Sequence, residues 1–173
     1  MADVLVNRVA QSSLVTLNLE DYYPEVSILN FDIKNYLFQG LILKEKDFRT
    51  ALKEKNWDEF EGKVVCIYCS TDAIIPVWAY MLVASYMTGI AVKIYIGDQE
   101  NFLSSYYNER LSQEDFSDYQ DARIVIKGCS NRPVPSSAYA RITELLKPYA
   151  QSIMYGEPCS TVPIYKRPRS LKK

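Results

Sequence analysis

Beyond residue 60 the apolar positions of this chain fall into short β-branched runs separated by longer stretches of helical composition. Residues 63–68 (KVVCIY) make a nearly unbroken apolar run with the length of a buried strand. Residues 72–88 are rich in helix formers (AYMLVASYM), with Pro76 tolerable in a first turn and Gly89 placed as a C-terminal cap. Residues 91–96 (AVKIYI) predict a second strand closed by Gly97-Asp98, and residues 101–111 a more polar helix. Residues 123–127 (RIVIK) predict a third strand. Residues 136–147 predict a helix with Ala138, Ile142, Leu145 and Leu146 as apolar positions, stopped by Pro148, and residues 152–155 a shorter fourth strand.

Strand and helix in alternation predict an α/β fold with a mostly parallel, four-stranded, doubly wound sheet, because parallel neighbours need crossover helices. The first 60 residues are less regular. Residues 14–19 (LVTLNL) alternate like a strand, Tyr22-Tyr23-Pro24 marks a turn, and residues 41–43 suggest another short strand. Residues 46–56 read as a charged amphipathic helix with Phe48 and Leu52 on one face. This region is expected to be an α+β extension covering one edge of the sheet, inside a single domain over residues 1–165 whose core is 61–165. The sequence shows no tandem repeat, low-complexity segment or Gly/Ser linker.

A chain of 173 residues can bury a sizeable core. No apolar run reaches the ~20 residues of a bilayer span, and the longest, residues 73–83, contains a proline. The N-terminus lacks a basic segment followed by an apolar one, so the expected location is the cytoplasm, where thiols stay reduced, with no membrane association. A net charge of −1 makes nucleic acid an unlikely partner, while a homo-oligomer is compatible with the sequence. Residues 166–173 carry basic residues and no acid, and read as a disordered basic tail. The chain contains no histidine, which excludes histidine general bases and His-rich zinc sites.

Cysteine is where candidate chemistry enters. Cys69-Ser70, Cys129-Ser130 and Cys159-Ser160 each sit where an expected strand ends, with Pro76, Pro133 with Pro135, and Pro163 following. Ligands of open parallel sheets gather at the C-terminal strand ends, and a common strand order would make these three strands neighbours. Three thiolates would then converge as metal ligands, with Asp72 or Glu157 as the nearest candidates for a fourth. Neighbouring strands lie ~4.8 Å apart, so the outer two are separated by roughly 9–10 Å, a spacing better suited to an iron–sulfur cluster than to a lone zinc. Ser70, Ser130 and Ser160 could donate hydrogen bonds to sulfur and tune such a cofactor. The alternative with no cofactor leaves the cysteines as structural residues.

Two other thiol readings arise. Cys129, between a glycine and an expected helix, is the best candidate for a catalytic nucleophile, with Lys127 or Arg132 to stabilise its thiolate. Cys66-Ile67-Tyr68-Cys69 matches a dithiol motif, but an extended chain separates the two sulfurs, which makes Cys66 a core residue. Fourteen tyrosines suggest a contact surface, with Tyr22, Tyr23, Tyr139, Tyr155 and Tyr165 as candidates. No phosphate-binding glycine loop or nucleophile elbow is present.

The segments VNRVAQSSLVTLNLEDYYP, LILKEKDF, CSTDAIIPVWAYML, VIKGCSNRPVPSSAY and MYGEPCSTVPIYK resemble an uncharacterised bacterial family, domain of unknown function 2480. The resemblance covers nearly the whole chain and brings no activity; it implies an association with iron–sulfur assembly proteins as partners. Three functional expectations follow: a three-thiolate metal or iron–sulfur protein linked to cluster assembly, a protein-binding or scaffold module with structural cysteines, and a cysteine-nucleophile enzyme.

Overall fold

The computed structural model describes residues 14–128 and 130–168. In chain order its elements are β1 (Leu14–Asn18), β2 (Ile28–Asp32), α1 (Glu45–Glu54), β3 (Val64–Tyr68), α2 (Val77–Met87), β4 (Lys93–Ile96), α3 (Gln99–Ser112), β5 (Arg123–Lys127), α4 (Ser136–Leu146), β6 (Ser152–Glu157) and β7 (Ser160–Lys166). The protein is mixed α/β with mostly parallel pairing, as the alternating pattern predicts. Among the described residues no helix is long and apolar enough to cross a membrane.

The strands do not form one four-stranded sheet. One sheet has the order β2-β3-β4, all parallel, and the other β1-β5-β6-β7, parallel except for the β6–β7 hairpin. The first 60 residues cause the difference. They supply an edge strand to each sheet, β1 beside β5 and β2 beside β3, where a cover over one edge was the expectation. The expected strand over 41–43 reduces to a single antiparallel bridge between Phe38 and Ile42. Nor does the basic tail begin at residue 166: Lys166 closes β7 opposite Ser152, and the Arg167 guanidinium bonds Asp121 and the carbonyl of Tyr149. Residues 169–173 lie outside the described residues.

The chain folds as two compact units, one over Pro24–Phe102 and one made by the chain on either side, to Tyr23 and from Leu103. The first packs Phe31, Ile33, Phe48, Leu52, Val65 and Ile67 against Ala79, Val83 and Met87 of α2. Trp57 stacks on Phe31 and Tyr86, and its indole donates to the Leu52 carbonyl at 3.0 Å. The second unit buries Leu17, Leu19, Leu111, Ile124 and Ile126 together with Ala138, Ile142 and Leu146 of α4. Tyr107 is fully buried there, and its hydroxyl donates to the Leu19 carbonyl at 3.0 Å.

The two units repeat one architecture. From α1 to the end of β4, and again from α3 to β6, equivalent features recur at a constant offset of 59 residues, that between Phe48 and Tyr107. Leu52 and Leu111, Val65 and Ile124, Ala79 and Ala138, Val83 and Ile142, and Met87 and Leu146 are buried pairs at this offset. Hydrogen bonds follow the same rule. Gly62 N donates to Ile90 O and Asp121 N to Tyr149 O, both at 3.0 Å, and Gly62 and Asp121 share a left-handed φ of 68° and 59°. The side chains of Asn56 and Asp115 each accept from the amide two residues on, at 2.9 Å. The N-terminal strands match too: Asn18 and Asp32 each end a strand and cap a short 3-10 turn whose first residue, Leu19 or Ile33, is fully buried. The apparent lack of repeats is thus corrected by the structure. The copies retain core size and turn geometry but few identical residues.

Candidate functional site

Two of the three Cys-Ser pairs, Cys69-Ser70 and Cys129-Ser130, fall between equivalent strands and helices of these repeats but one residue out of register, at an offset of 60. Pro76 and Pro135 stand in extended conformation as the residues preceding α2 and α4, with the Cys-Ser loop before each. Placing Pro76 outside the helix shortens α2 relative to the sequence expectation, because residues 72–75 are needed to carry the chain from the strand end to the helix start.

In the first unit Cys69 is half-buried just beyond β3, its Sγ 3.2 Å from Thr71 Oγ1. The Ser70 amide donates to Asp32 Oδ1 at 3.0 Å, tying the loop to the end of the neighbouring strand. Burial opposes ionisation of Asp32, but hydrogen bonds from the Ser70 hydroxyl and amide and the Lys34 amide outweigh it and hold the carboxyl below its ordinary range. Tyr80 of α2 has its phenol pushed up by burial and by the charge of Cys69. Asp72 is exposed on the same loop. Cys66 is a core residue, as the strand geometry predicts: it is fully buried, and burial, helped by Asp98, raises its thiol to about 11.

In the second unit the corresponding clamp is Glu20, a buried carboxylate. It accepts from the amides of Ser130 and Asn131, the latter at 3.0 Å, and from Asn131 Nδ2 at 3.4 Å. The Asn131 amide is the main influence lowering its pKa, against the opposing effect of burial, and the Ser130 and Arg132 amides add to it. Cys129 itself lies outside the described residues. Gly128, just before it, closely approaches α4: a Cβ there would meet the Tyr139 hydroxyl at 2.8 Å. The Arg132 guanidinium stands over the Tyr23 ring at 5.3 Å.

Cys159 is exposed in the turn of the β6–β7 hairpin, and Ser160 opens β7 opposite Glu157. The hairpin needs Gly156, whose φ is 123° and where a Cβ would stand 2.5 Å from the Ser160 carbonyl oxygen. Lys127 Nζ at the end of β5 pairs with Glu157 Oε2 at 3.7 Å at the end of β6. The expected convergence of three neighbouring strands is therefore corrected: β5 and β6 are neighbours, but β3 belongs to the other sheet. Among the described residues no group of three or more Cys, Asp or Glu is placed to hold a metal ion. Cys66, Cys69 and Cys159 are free thiols.

The sequence reading missed Glu20 and Asp32. A polar residue closing an alternating strand, with a buried apolar residue next, is the signal that marks both segments. The reading did name two residues of an uncharged cavity in the second unit. Ile126, Tyr139, Ala140, Thr143, Tyr155 and Ile164 line a cavity of about 420 Å³ between α4 and the sheet. Tyr139 and Tyr155 meet edge to face in it, with ring centroids 5.6 Å apart. Tyr155 and Ile164, with Val162 beside them on β7, are exposed at its mouth. Tyr165 lies in a separate, more polar groove with Met154, Pro163 and Arg167.

Two βαβ-containing units, each with a carboxylate-clamped loop at the C-terminal end of its central strand, define a mixed α/β protein of repeated architecture. The chain belongs to the family described as protein of unknown function (DUF2480), whose model matches residues 3–167. No curated protein and no solved structure matches it.

Proposed function

We propose that the protein is a protein-binding module that receives an apolar, uncharged segment of a partner in the cavity beneath α4. The observation that carries this reading is the cavity itself. Its lining has no charged residue, its tyrosine pair offers large rigid contact area, and its mouth exposes Tyr155, Val162 and Ile164. Pro163 and the register shift opposite Ile153 and Met154 blunt the β7 edge, so side-chain insertion is favoured over strand addition. A photoreactive phenylalanine analogue at position 155 tests it in cells. A discrete protein adduct should form, vanish when Ala140→Trp fills the cavity, and persist in Cys69→Ser and Cys159→Ser chains. No adduct, or one indifferent to Ala140→Trp, refutes the reading.

A second reading is supported by the pairing of β5 with β6 and by the Lys127–Glu157 ion pair. These bring the strand ends that precede Cys129 and Cys159 side by side, as a shared thiolate site would require. In this reading Cys129 and Cys159 bind a thiophilic metal or an iron–sulfur cluster, Glu157 is the nearest carboxylate, Ser130 and Ser160 flank the sulfurs, and iron–sulfur assembly proteins are the partners. Cys69 and Ser70 stand in the other unit. Anaerobic purification should then yield iron, sulfide and a brown chromophore that Cys129→Ser and Cys159→Ser abolish. Colourless, metal-free protein from iron-replete cells overturns it.

A further inference from the structure

The internal repeat supplies a control for reading the surface of each unit. Helices α2 and α4 have the same length, the same preceding proline and the same buried positions, so what their outer faces do not share is not required by the fold. Along α4 and its C-terminal cap, Ser136, Glu144 and Lys147 are exposed and polar, and exposed Ala140 between them lines the cavity. The equivalent positions of α2 are Val77, Met81, Ser85 and Thr88. Val77 is 74% exposed and Met81 67%, and Ile74, in the loop leading into the helix, is 94% exposed. From Ala73 to Val92 the chain carries no charged residue. A helix that is apolar on every side is one that expects burial on every side.

We propose that the outer face of α2 is a self-association surface, on which α2 of a second copy of this chain packs antiparallel across a twofold axis. Three features of the face select a second copy. An uncharged face meets its own image with no like-charge clash, whereas a charged partner would lose hydration there with nothing to pair it. Ser85 and Thr88 are small, and Ala84 flanks them, so two such helices can approach closely. Ile74, Val77 and Met81 together expose on the order of 400 Å² of apolar surface, the size of the largest, often functional, patch of a typical monomer and about half of one partner's share in a standard interface. The surface is separate from the cavity beneath α4 and extends the reading of the protein as an interaction module.

Sedimentation velocity of the full chain over a range of concentrations tests this. Wild type should sediment as a dimer at micromolar concentration. Met81→Glu should weaken the dimer at least about 100-fold, since each copy would bury a charge against its twin. Met81→Lys should do the same, and an equimolar mixture of the two variants should regain the dimer, because residue 81 of one copy faces residue 81 of the other. Circular dichroism must stay unchanged in both, as expected for an exposed site. A monomeric wild type, a dimer indifferent to Met81→Glu, or a mixture that stays monomeric overturns the proposal, and so does a monomer that instead sediments with lipid vesicles. Ala140→Trp should leave the dimer intact, and Met81→Glu should leave the adduct at position 155 intact, so each reading can fail alone.

Discussion

Gly128→Ala tests whether the Cys129 loop is as closely fitted to α4 as the structure shows. The added methyl would stand 2.8 Å from the Tyr139 hydroxyl oxygen, 3.3 Å from Leu19 Cβ and 3.4 Å from Val134 Cγ2. The first distance is shorter than any ordinary carbon–oxygen contact. Neither aliphatic neighbour can yield, because Leu19 is fully buried and Val134 nearly so. The tyrosine ring is also constrained, by its edge-to-face contact with Tyr155. Overpacking of this kind costs about 1–3 kcal/mol. Tyr139→Phe removes the obstructing oxygen, and its own effect on stability is measured beside that of Gly128→Ala. The double variant should therefore lose at least about 1 kcal/mol less than the sum of the two single losses. Urea unfolding with an unchanged m-value measures all three. Additivity to within about 0.5 kcal/mol would show that the hydroxyl does not oppose a side chain at 128, and would refute the reasoning.

Glu20 and Asp32 have carboxyl pKa values lowered in the folded state, from ordinary values of 4.5 and 3.8. Their stabilisation is therefore complete above those ordinary values and lost as pH falls through the folded ones. The urea midpoint of wild type should drop as pH is lowered from 5 towards 3, and Glu20→Gln with Asp32→Asn should flatten that drop; an equal slope in the double variant contradicts the clamp assignment. Under native conditions at pH 8, peptide mapping after alkylation should find exposed Cys159 modified ahead of half-buried Cys69. Cys66, buried and with its thiol raised to about 11, should react only in denaturant, and early labelling of Cys66 would refute its place in the core.

The βαβ units were legible in the sequence because their signals are local. The β-branched runs VVCIY and RIVIK, the prolines before α2 and α4, and the apolar spacing of Ala138, Ile142 and Leu146 all act within one element. Partner choice is not local. Nothing within β3 or β5 says that each will pair with a strand from the first 32 residues, and those pairings separate the strand before Cys69 from the two before Cys129 and Cys159. Pro163 hid β7, since proline within a run argues against a strand; the edge position and the register shift make it tolerable. The repeat was hidden because the copies exchanged residues of like size: Phe48 for Tyr107, Val83 for Ile142, Met87 for Leu146. Few identities persist at the repeat's offset, among them Leu52 with Leu111, Ile67 with Ile126, the proline before the helix, and Ala79-Tyr80 with Ala138-Tyr139.

Native mass spectrometry of the chain purified anaerobically from iron-replete cells distinguishes a protein that binds protein through apolar surfaces from one that holds a cluster. The predicted spectrum shows metal-free chains in pairs, some carrying a stoichiometric protein partner that Ala140→Trp removes. Chains that carry the mass of iron and sulfide, lose it in Cys129→Ser and Cys159→Ser, and hold no partner would contradict it.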